Sequence, residues 1–301
     1  MLLSGILLAF LSGVSFSVLG MSYKMAAARH CRAVPFTMAL GLSAGVVTLF
    51  KSTTEATAWG DPHLWGLAGA VAVCFISSIP LVVLASRLGP GSLNWTVVNL
   101  ALLVPLLSAP YLFHEPLLGV DALVIALFVL ALVCLQRGMH AAGDTPPRRY
   151  LLYALVLTAI FVTNGTVGVA QKLKYLLLGE TSTAGLAATF YLLTAVLAFS
   201  IMLARGQARM RRAEWQVGAL AGLTSAGGVL SLMTALRLPA AEVFPISQGL
   251  SLVGGIALTA VLYHERFNKW KVLGVALALA VVLLAVLREP TQVWLTGLLG
   301  G

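Results

Sequence analysis

The sequence predicts an all-α polytopic membrane protein, and three observations carry this prediction. Apolar residue types make up 59% of the 301 residues and charged types only 10%, against roughly 25% charged residues in soluble domains. Apolar runs near the roughly 20 residues that cross a bilayer recur between short polar breaks. These runs do not alternate between apolar and polar residues, as the strands of a membrane β-barrel would.

Ten runs qualify as transmembrane helices, because backbone groups in lipid must be hydrogen-bonded within their own segment. The predicted spans cover residues 2–23, 33–50, 64–86, 92–112, 117–136, 149–171, 183–204, 214–236, 240–263 and 270–287. The first span is expected to stay in the mature protein, since it lacks the basic start and the cleavage site of a signal peptide. Pro80, Pro105 and Pro245 interrupt three spans and are expected to kink them.

The chain also repeats itself after about half its length, at shifts of 150 and 148 residues. The matched pairs are Trp65 with Trp215, His114-Glu115 with His264-Glu265, and Gly20-x-x-x-Lys24 with Gly168-x-x-x-Lys172. Each half holds five spans, and an odd number of crossings inverts the second half relative to the first. We therefore predict two inverted five-helix repeats, at 1–141 and 149–288, joined by a linker at 142–148 and followed by an interfacial tail at 289–301.

Basic residues outnumber acidic ones nineteen to ten, which gives a formal net charge of +9. A chain this apolar has too little polar surface to present a basic face to nucleic acid, so no nucleic-acid partner is expected. The predicted topology places fourteen of the nineteen Lys and Arg residues on one side. By the positive-inside rule that side is cytoplasmic, both termini are outside, and the plasma (inner) membrane is the expected location.

Several function classes are disfavoured by what the sequence lacks. Cys31, Cys74 and Cys134 fall at no metal-ligand spacing and are odd in number, so neither a metal site nor a disulfide framework is expected. No nucleotide-binding, zinc-protease or nucleophile-elbow pattern is present, which argues against an enzyme and against a cofactor. An ion channel or magnesium transporter would need rings of acidic groups, and only Glu242 could contribute; this reading is kept as an alternative.

In each half, the fourth span closes with an acidic residue and a very apolar fifth span follows. The residues that carry this pattern are Phe113-His114-Glu115, Tyr263-His264-Glu265-Arg266, the stretch 241–249 and Gly274. With this pattern, residues 2–288 resemble the drug/metabolite transporter superfamily in its EamA-like ten-helix form. The resemblance implies a secondary transporter whose pathway is lined by the first, third and fourth helices of each half. It leaves the substrate open among amino acids, drugs, sugars and nucleotide sugars.

Polar residues inside spans are the candidate solute ligands. Trp95 and Asn99 share a helical face, and an asparagine within a span needs a hydrogen-bond partner on another helix or on a solute. Ser17 lies on a stripe of small residues in the first helix that also favours close helix packing. The corresponding candidates in the second half are Asn164, Gln171, Ser247 and Gln248.

Charged residues lie only near the ends of spans. Lys24 and Lys172 are expected either to reach the headgroups or to attract an anionic solute at a mouth. Glu242 caps the ninth helix or pairs with Arg237, and Glu115 is expected to begin the helix that follows it.

The first and sixth helices carry no acid, so a proton-coupled drug or cation exporter is the disfavoured alternative. We predict alternating-access transport of a neutral, zwitterionic or anionic metabolite, such as an amino acid or a sugar. The fifth and tenth helices are predicted to face lipid or a second protomer.

Overall fold

The computed structural model describes residues 2–88, 91–140, 150–179, 181–207, 209–263 and 268–287. This part of the chain is 86% helical and contains no strand. Eight of its helices are long and apolar enough to cross a membrane. The protein is therefore a multi-pass α-helical membrane protein, as the sequence predicts. The predicted linker at 142–148, the tail at 289–301 and Glu265 lie outside the described residues.

The helices follow one another along the chain with short connections. The first half contains α1 (Leu2–Ala28), α2 (Ala33–Ser52), α3 (Pro62–Leu88), α4 (Gly91–Leu100), α5 (Leu103–Ser108), a π-helical turn (Ala109–Phe113) and α6 (Gly119–His140). The second half contains α7 (Tyr150–Leu178), α8 (Thr183–Ala204), α9 (Arg212–Ala235), α10 (Ala240–Tyr263) and α11 (Lys269–Val286). Outward-facing side chains are apolar, as lipid contact requires: Leu3, Phe50, Leu151 and Val261 are 71% to 79% exposed.

The segment predicted as one span at 92–112 is instead broken into α4, α5 and the π-helical turn. Pro105 has no N–H to donate to the carbonyl of Ala101, which in a continuous helix would accept it. The Ala101 carbonyl accepts the N–H of Val104 instead, at 3.1 Å, which tightens the chain into a turn. Pro80 and Pro245, in contrast, lie inside the continuous helices α3 and α10.

Helices of the two halves pack extensively against each other. The main cross-half contacts are α2 with α8 and α9, α1 with α9 and α10, α3 with α7 and α8, α5 with α7, and α6 with α11. Gly222 of α9 allows one of the closest approaches, because a Cβ there would overlap the carbonyl oxygen of Leu40 and the hydroxyl of Ser43 on α2. Small residues of this kind let membrane helices approach closely enough for backbone contact.

Candidate functional site

A cavity lies between α1, α3, α4, α5, α7, α9 and α10, with about 850 Å³ of empty space including the part that opens to solvent. Its aromatic lining residues are Phe16, Tyr23, Phe75, Trp95 and Phe244, and its polar ones are Ser78, Asn164, Gln171, Ser225 and Gln248. The remaining lining is aliphatic, apart from Gly168. The composition of this lining is typical of small-molecule sites, which are mostly apolar with a few placed polar groups.

Four of the sequence-predicted ligands line this cavity: Trp95, Asn164, Gln171 and Gln248. The Trp95 ring lies against α1 at Gly20, where a Cβ would sit 2.7 Å from the ring, and its centroid is 6.2 Å from that of Tyr23. The indole nitrogen is buried beside Gly255 of α10 and has no hydrogen-bond partner in the described part of the chain. Trp95 is thus wedged between the two helices as one wall of the cavity.

The polar lining groups differ in whether the protein already satisfies them. The Asn164 amide donates to the Ser78 hydroxyl at 2.7 Å and to the Ile160 carbonyl at 2.8 Å, which ties α7 to α3. Ser225 shares a 2.6 Å hydrogen bond with Tyr191. The amides of Gln171 and Gln248, however, make no hydrogen bond within the described residues. These two amides are therefore free to bind a solute.

Three other predicted ligands, Asn99, Ser17 and Ser247, are buried outside the cavity lining. The Asn99 amide donates to the Trp95 carbonyl at 2.7 Å, within its own helix. The hydroxyl of Ser17 donates to the Gly13 carbonyl at 2.9 Å and to the Ser251 carbonyl of α10 at 3.3 Å. The Ser247 and Ser12 hydroxyls lie 2.9 Å apart across the same α1–α10 contact. Both serines therefore join α1 to α10.

Lys172 is buried and partnered, although the sequence favoured headgroup contact or an open mouth. Its Nζ lies 2.5 Å from Oε1 of Glu115 and donates to the carbonyls of Leu236 and Leu238, each at 3.0 Å. The other carboxylate oxygen of Glu115 accepts the N–H of Ala240 at 2.8 Å. We call these groups the Lys172–Glu115 junction.

The sequence predicts that Glu115 begins the helix that follows it in the chain. This prediction is wrong, because Glu115 caps a different helix. Glu115 precedes α6, which begins at Gly119, and its carboxylate caps α10 instead. At the start of α6, the carboxylate of Asp121 accepts the N–H of Leu118 at 2.6 Å. A carboxylate at a helix N-terminus is favourable in both places, but the Glu115 contact joins the two halves of the chain.

The Lys172–Glu115 junction lies about one helical turn beyond the cavity on two helices. On α9, Leu232 lines the cavity and Leu236, four residues later, belongs to the junction. On α10, Phe244 lines the cavity, and Ala240 four residues earlier contacts Glu115. Because an α-helix rises 5.4 Å per turn, the junction lies close to this end of the cavity.

A second charged contact joins the halves at the other end of α9. Glu214 accepts from the Arg32 side chain at 2.8 and 2.9 Å and from the Arg32 backbone N–H at 3.0 Å. It also accepts the Arg211 N–H at 2.8 Å, which caps α9. The hydrogen bond to Glu214 raises the pKa of the Arg32 guanidinium above its ordinary value. The sequence signal for this Arg32–Glu214 junction is the acid in the first turn of α9, but its partner Arg32 lies 182 residues away in sequence.

The remaining charged candidates lie near helix ends. Lys24 is half-buried, next to the cavity-lining Tyr23. Glu242 is buried in the first turn of α10, while Arg237 donates to the Ser4 hydroxyl at 2.6 Å rather than to Glu242. Among the residues that the structure describes, no group of three or more His, Cys, Asp or Glu could hold a metal ion.

Comparison with known proteins gives the fold alone. No family model matches the chain, and no curated protein matches it. Among solved structures, 28 chains match. One of them, described as "Crystal structure of protein", aligns with a TM-score of 0.77 over 95% of this chain and 99% of its own length, at 18% identity. The chain therefore shares its architecture, end to end, with an experimentally solved fold.

Proposed function

We propose that the protein is a secondary transporter of the drug/metabolite transporter type, which moves a small organic metabolite across the plasma membrane by alternating access. One observation carries the proposal: a cavity between helices of both halves exposes two amides that have no hydrogen-bond partner among the described residues. A buried polar group without a partner destabilises the fold. Two of them on different helices that line one cavity are best explained by a bound solute.

The pairing of helices supports the inverted-repeat arrangement behind this proposal. The helices α1, α2, α3, α4 with α5, and α6 of the first half correspond in order to α7 through α11. Under this exchange, the contacts of α2 with α8 and of α6 with α11 map onto themselves. The contact of α1 with α9 maps onto that of α7 with α3, and α1 with α10 onto α7 with α4 and α5. Ten spans in two inverted repeats would produce this pattern.

The two charged junctions provide a physical basis for alternating access. Each joins the first half to the second, and they lie at opposite ends of α9. A solute can leave the cavity only where the halves separate, so opening toward one side requires one junction to break while the other holds. The count of basic residues would place the Arg32–Glu214 junction on the cytoplasmic side.

The lining composition favours this function over the alternatives. The lining residues of the described cavity include no Asp, Glu, Lys, Arg or His. A proton-coupled exporter of cations needs a membrane-embedded acid, and a channel for magnesium needs rings of acidic or carbonyl oxygens. An enzyme would need a nucleophile with a base, or a metal.

A ligand screen followed by transport assays tests the proposal. The purified protein is heated with amino acids, sugars, nucleosides, organic anions and uncharged planar amides, because a ligand at 100 times its Kd stabilises the fold by about 2.7 kcal/mol. Stabilising compounds are then assayed for counterflow in proteoliposomes. We expect at least one compound to be exchanged, with loss of exchange in Gln248→Leu and retention in Gln216→Leu, an exposed glutamine of α9. Absence of stabilisation and exchange across the panel would contradict the proposal.

A further inference from the structure

The charge of the cavity lining limits which solutes can bind. The residue that follows Gln171 in the chain is Lys172, whose ammonium is held by Glu115 and two carbonyls. The described residues of the lining include no charged side chain. A carboxylate, phosphate or ammonium group transferred from water into this site would lack a counter-charge, which is strongly unfavourable. The lining therefore selects against amino acids, organic anions and organic cations.

The shape of the apolar lining favours a flat solute. Aromatic rings enter the cavity from four helices: Phe16 and Tyr23 from α1, Phe75 from α3, Trp95 from α4 and Phe244 from α10. Aromatic side chains pack best against other planar groups, in offset or edge-to-face geometry. A monosaccharide, by contrast, carries hydroxyls around its whole ring, and most of them would face hydrocarbon here.

The two unpaired amides supply the polar complement. Gln171 lies on α7 and Gln248 on α10, and both side chains line the cavity. Each amide has a carbonyl that accepts and an NH₂ that donates. A solute edge with a neighbouring carbonyl and N–H can form paired hydrogen bonds with such a group. A carboxamide or a lactam has this edge.

We infer that the cavity binds an uncharged solute with a planar, largely apolar body and a carboxamide or lactam edge. This inference rests on the proposed transport function and narrows its substrate class. Gln171 and Gln248 form hydrogen bonds with the carboxamide or lactam edge of the solute. The aromatic side chains of the lining pack against its planar body. Because the two glutamines lie on different helices of the second half, the solute bridges α7 and α10.

Transport in proteoliposomes made with the full chain tests the inference. The radiolabelled probes are nicotinamide and uracil for the inferred class, and leucine, glucose and salicylate for the zwitterionic, polyhydroxyl and planar anionic classes. We expect counterflow of nicotinamide or uracil and none of the other three. Gln171→Leu and Gln248→Leu should each lower this counterflow roughly tenfold, the effect of losing one to two hydrogen bonds. Gln216→Leu is the matched control and should leave it unchanged.

The possible results distinguish a failure of the inferred solute class from a failure of the proposed transport function. Counterflow of leucine, glucose or salicylate without nicotinamide or uracil would overturn the inferred class while supporting a transporter. Counterflow of nicotinamide or uracil that survives both glutamine substitutions would overturn the assigned role of the amides. Absence of counterflow for all five probes would count against transport itself. Detergent-extracted yield and thermal unfolding of each variant show whether a loss reflects misfolding.

Discussion

The cavity and the Lys172–Glu115 junction are about one helical turn apart, yet they differ in how their polar groups are satisfied. In the junction, the lysine contacts a carboxylate and two carbonyls, and the other carboxylate oxygen accepts a backbone N–H. In the cavity, two neutral amides have no partner in the described chain. Charge is used here to join helices, whereas neutral polarity is left available for a ligand.

This division follows from the energetics of polar groups in a low-dielectric interior. A buried charge without a partner is far less favourable than a neutral amide without one. A site that must exist both empty and occupied can therefore carry free amides but not free charges. A charged pair, in turn, can hold two halves together and still separate when the halves move, because water replaces the partners once the contact opens.

Removing the carboxylate charge from the Lys172–Glu115 junction should have the largest effect on stability. Glu115→Gln retains an oxygen that can accept the Ala240 N–H but removes the charge that faces Lys172, which is 7% exposed. Removing one partner of a buried ion pair typically destabilises a protein by about 3–5 kcal/mol. We expect a loss of this size in the free energy of unfolding, measured by denaturant titration in detergent.

The double variant Glu115→Gln with Lys172→Met provides the control for this prediction. Without the lysine charge, most of the stability lost in the single variant should return, since replacing both partners by uncharged groups is often neutral. Equal destabilisation of the single and double variants would show that the ion pair is not what the junction contributes. Charge would then not be what joins the helices at this junction.

The Arg32–Glu214 junction should be less sensitive than the first one. The carboxylate of Glu214 is fully buried, but Arg32 is 29% exposed and can recover water when its partner is lost. Glu214→Gln therefore weakens charge-assisted hydrogen bonds without isolating a buried charge. We expect a loss of about 1.5–3 kcal/mol in the same titration. A loss larger than that of Glu115→Gln would reverse the ranking of the two junctions.

Asp61, outside the membrane-spanning segments, gives a smaller and pH-dependent effect. Its carboxylate accepts the His63 N–H at 2.8 Å, and this hydrogen bond lowers the pKa of Asp61 below its ordinary value of 3.8. The folded state therefore binds the proton more weakly than the unfolded state. The contribution to stability is present above pH 3.8 and is lost as the pH falls through the lowered pKa. Asp61→Asn should remove this dependence on acid, visible as a flatter plot of Tm against pH.

The α-helical membrane character of the protein is predictable from sequence, while the details of the candidate site are not. Long apolar runs predict helices because lipid admits no other backbone arrangement for them, and the eight long helices confirm this. The sequence does not distinguish Pro105, which follows a break between two short helices at residues 101–102, from Pro80 and Pro245, which lie inside continuous helices. That difference depends on whether neighbouring helices compensate for the missing hydrogen bond.

The candidate solute ligands also show that contacts between helices cannot be predicted from sequence. Amide residues inside apolar spans are unusual, but their spacing does not show which of them reach a cavity. Gln171 and Gln248 line it, whereas Asn99 donates to its own helix at 2.7 Å. For Glu115, sequence shows that an acid precedes a helix, but not that the helix it caps is α10, 125 residues later. Partners distant in sequence are set by tertiary packing alone.

The smallest expected effect on stability belongs to the cavity amides, and it tests the comparison most directly. Gln248→Leu removes a polar group that has no partner in the described chain and replaces it with an apolar one of similar size. Such a change should not lower the free energy of unfolding, since no hydrogen bond is lost.

Asn164→Leu is the informative contrast, because it removes the hydrogen bonds to Ser78 and Ile160 and should lower stability by about 1 kcal/mol. If Gln248→Leu were the more destabilising variant, its amide would have a structural partner and would not be reserved for a solute. The expected result is that both variants fold and that only Asn164→Leu is less stable. If Gln248→Leu then loses exchange without losing stability, its amide serves solute binding. Neutral polarity in the cavity would then be explained by the ligand rather than by packing.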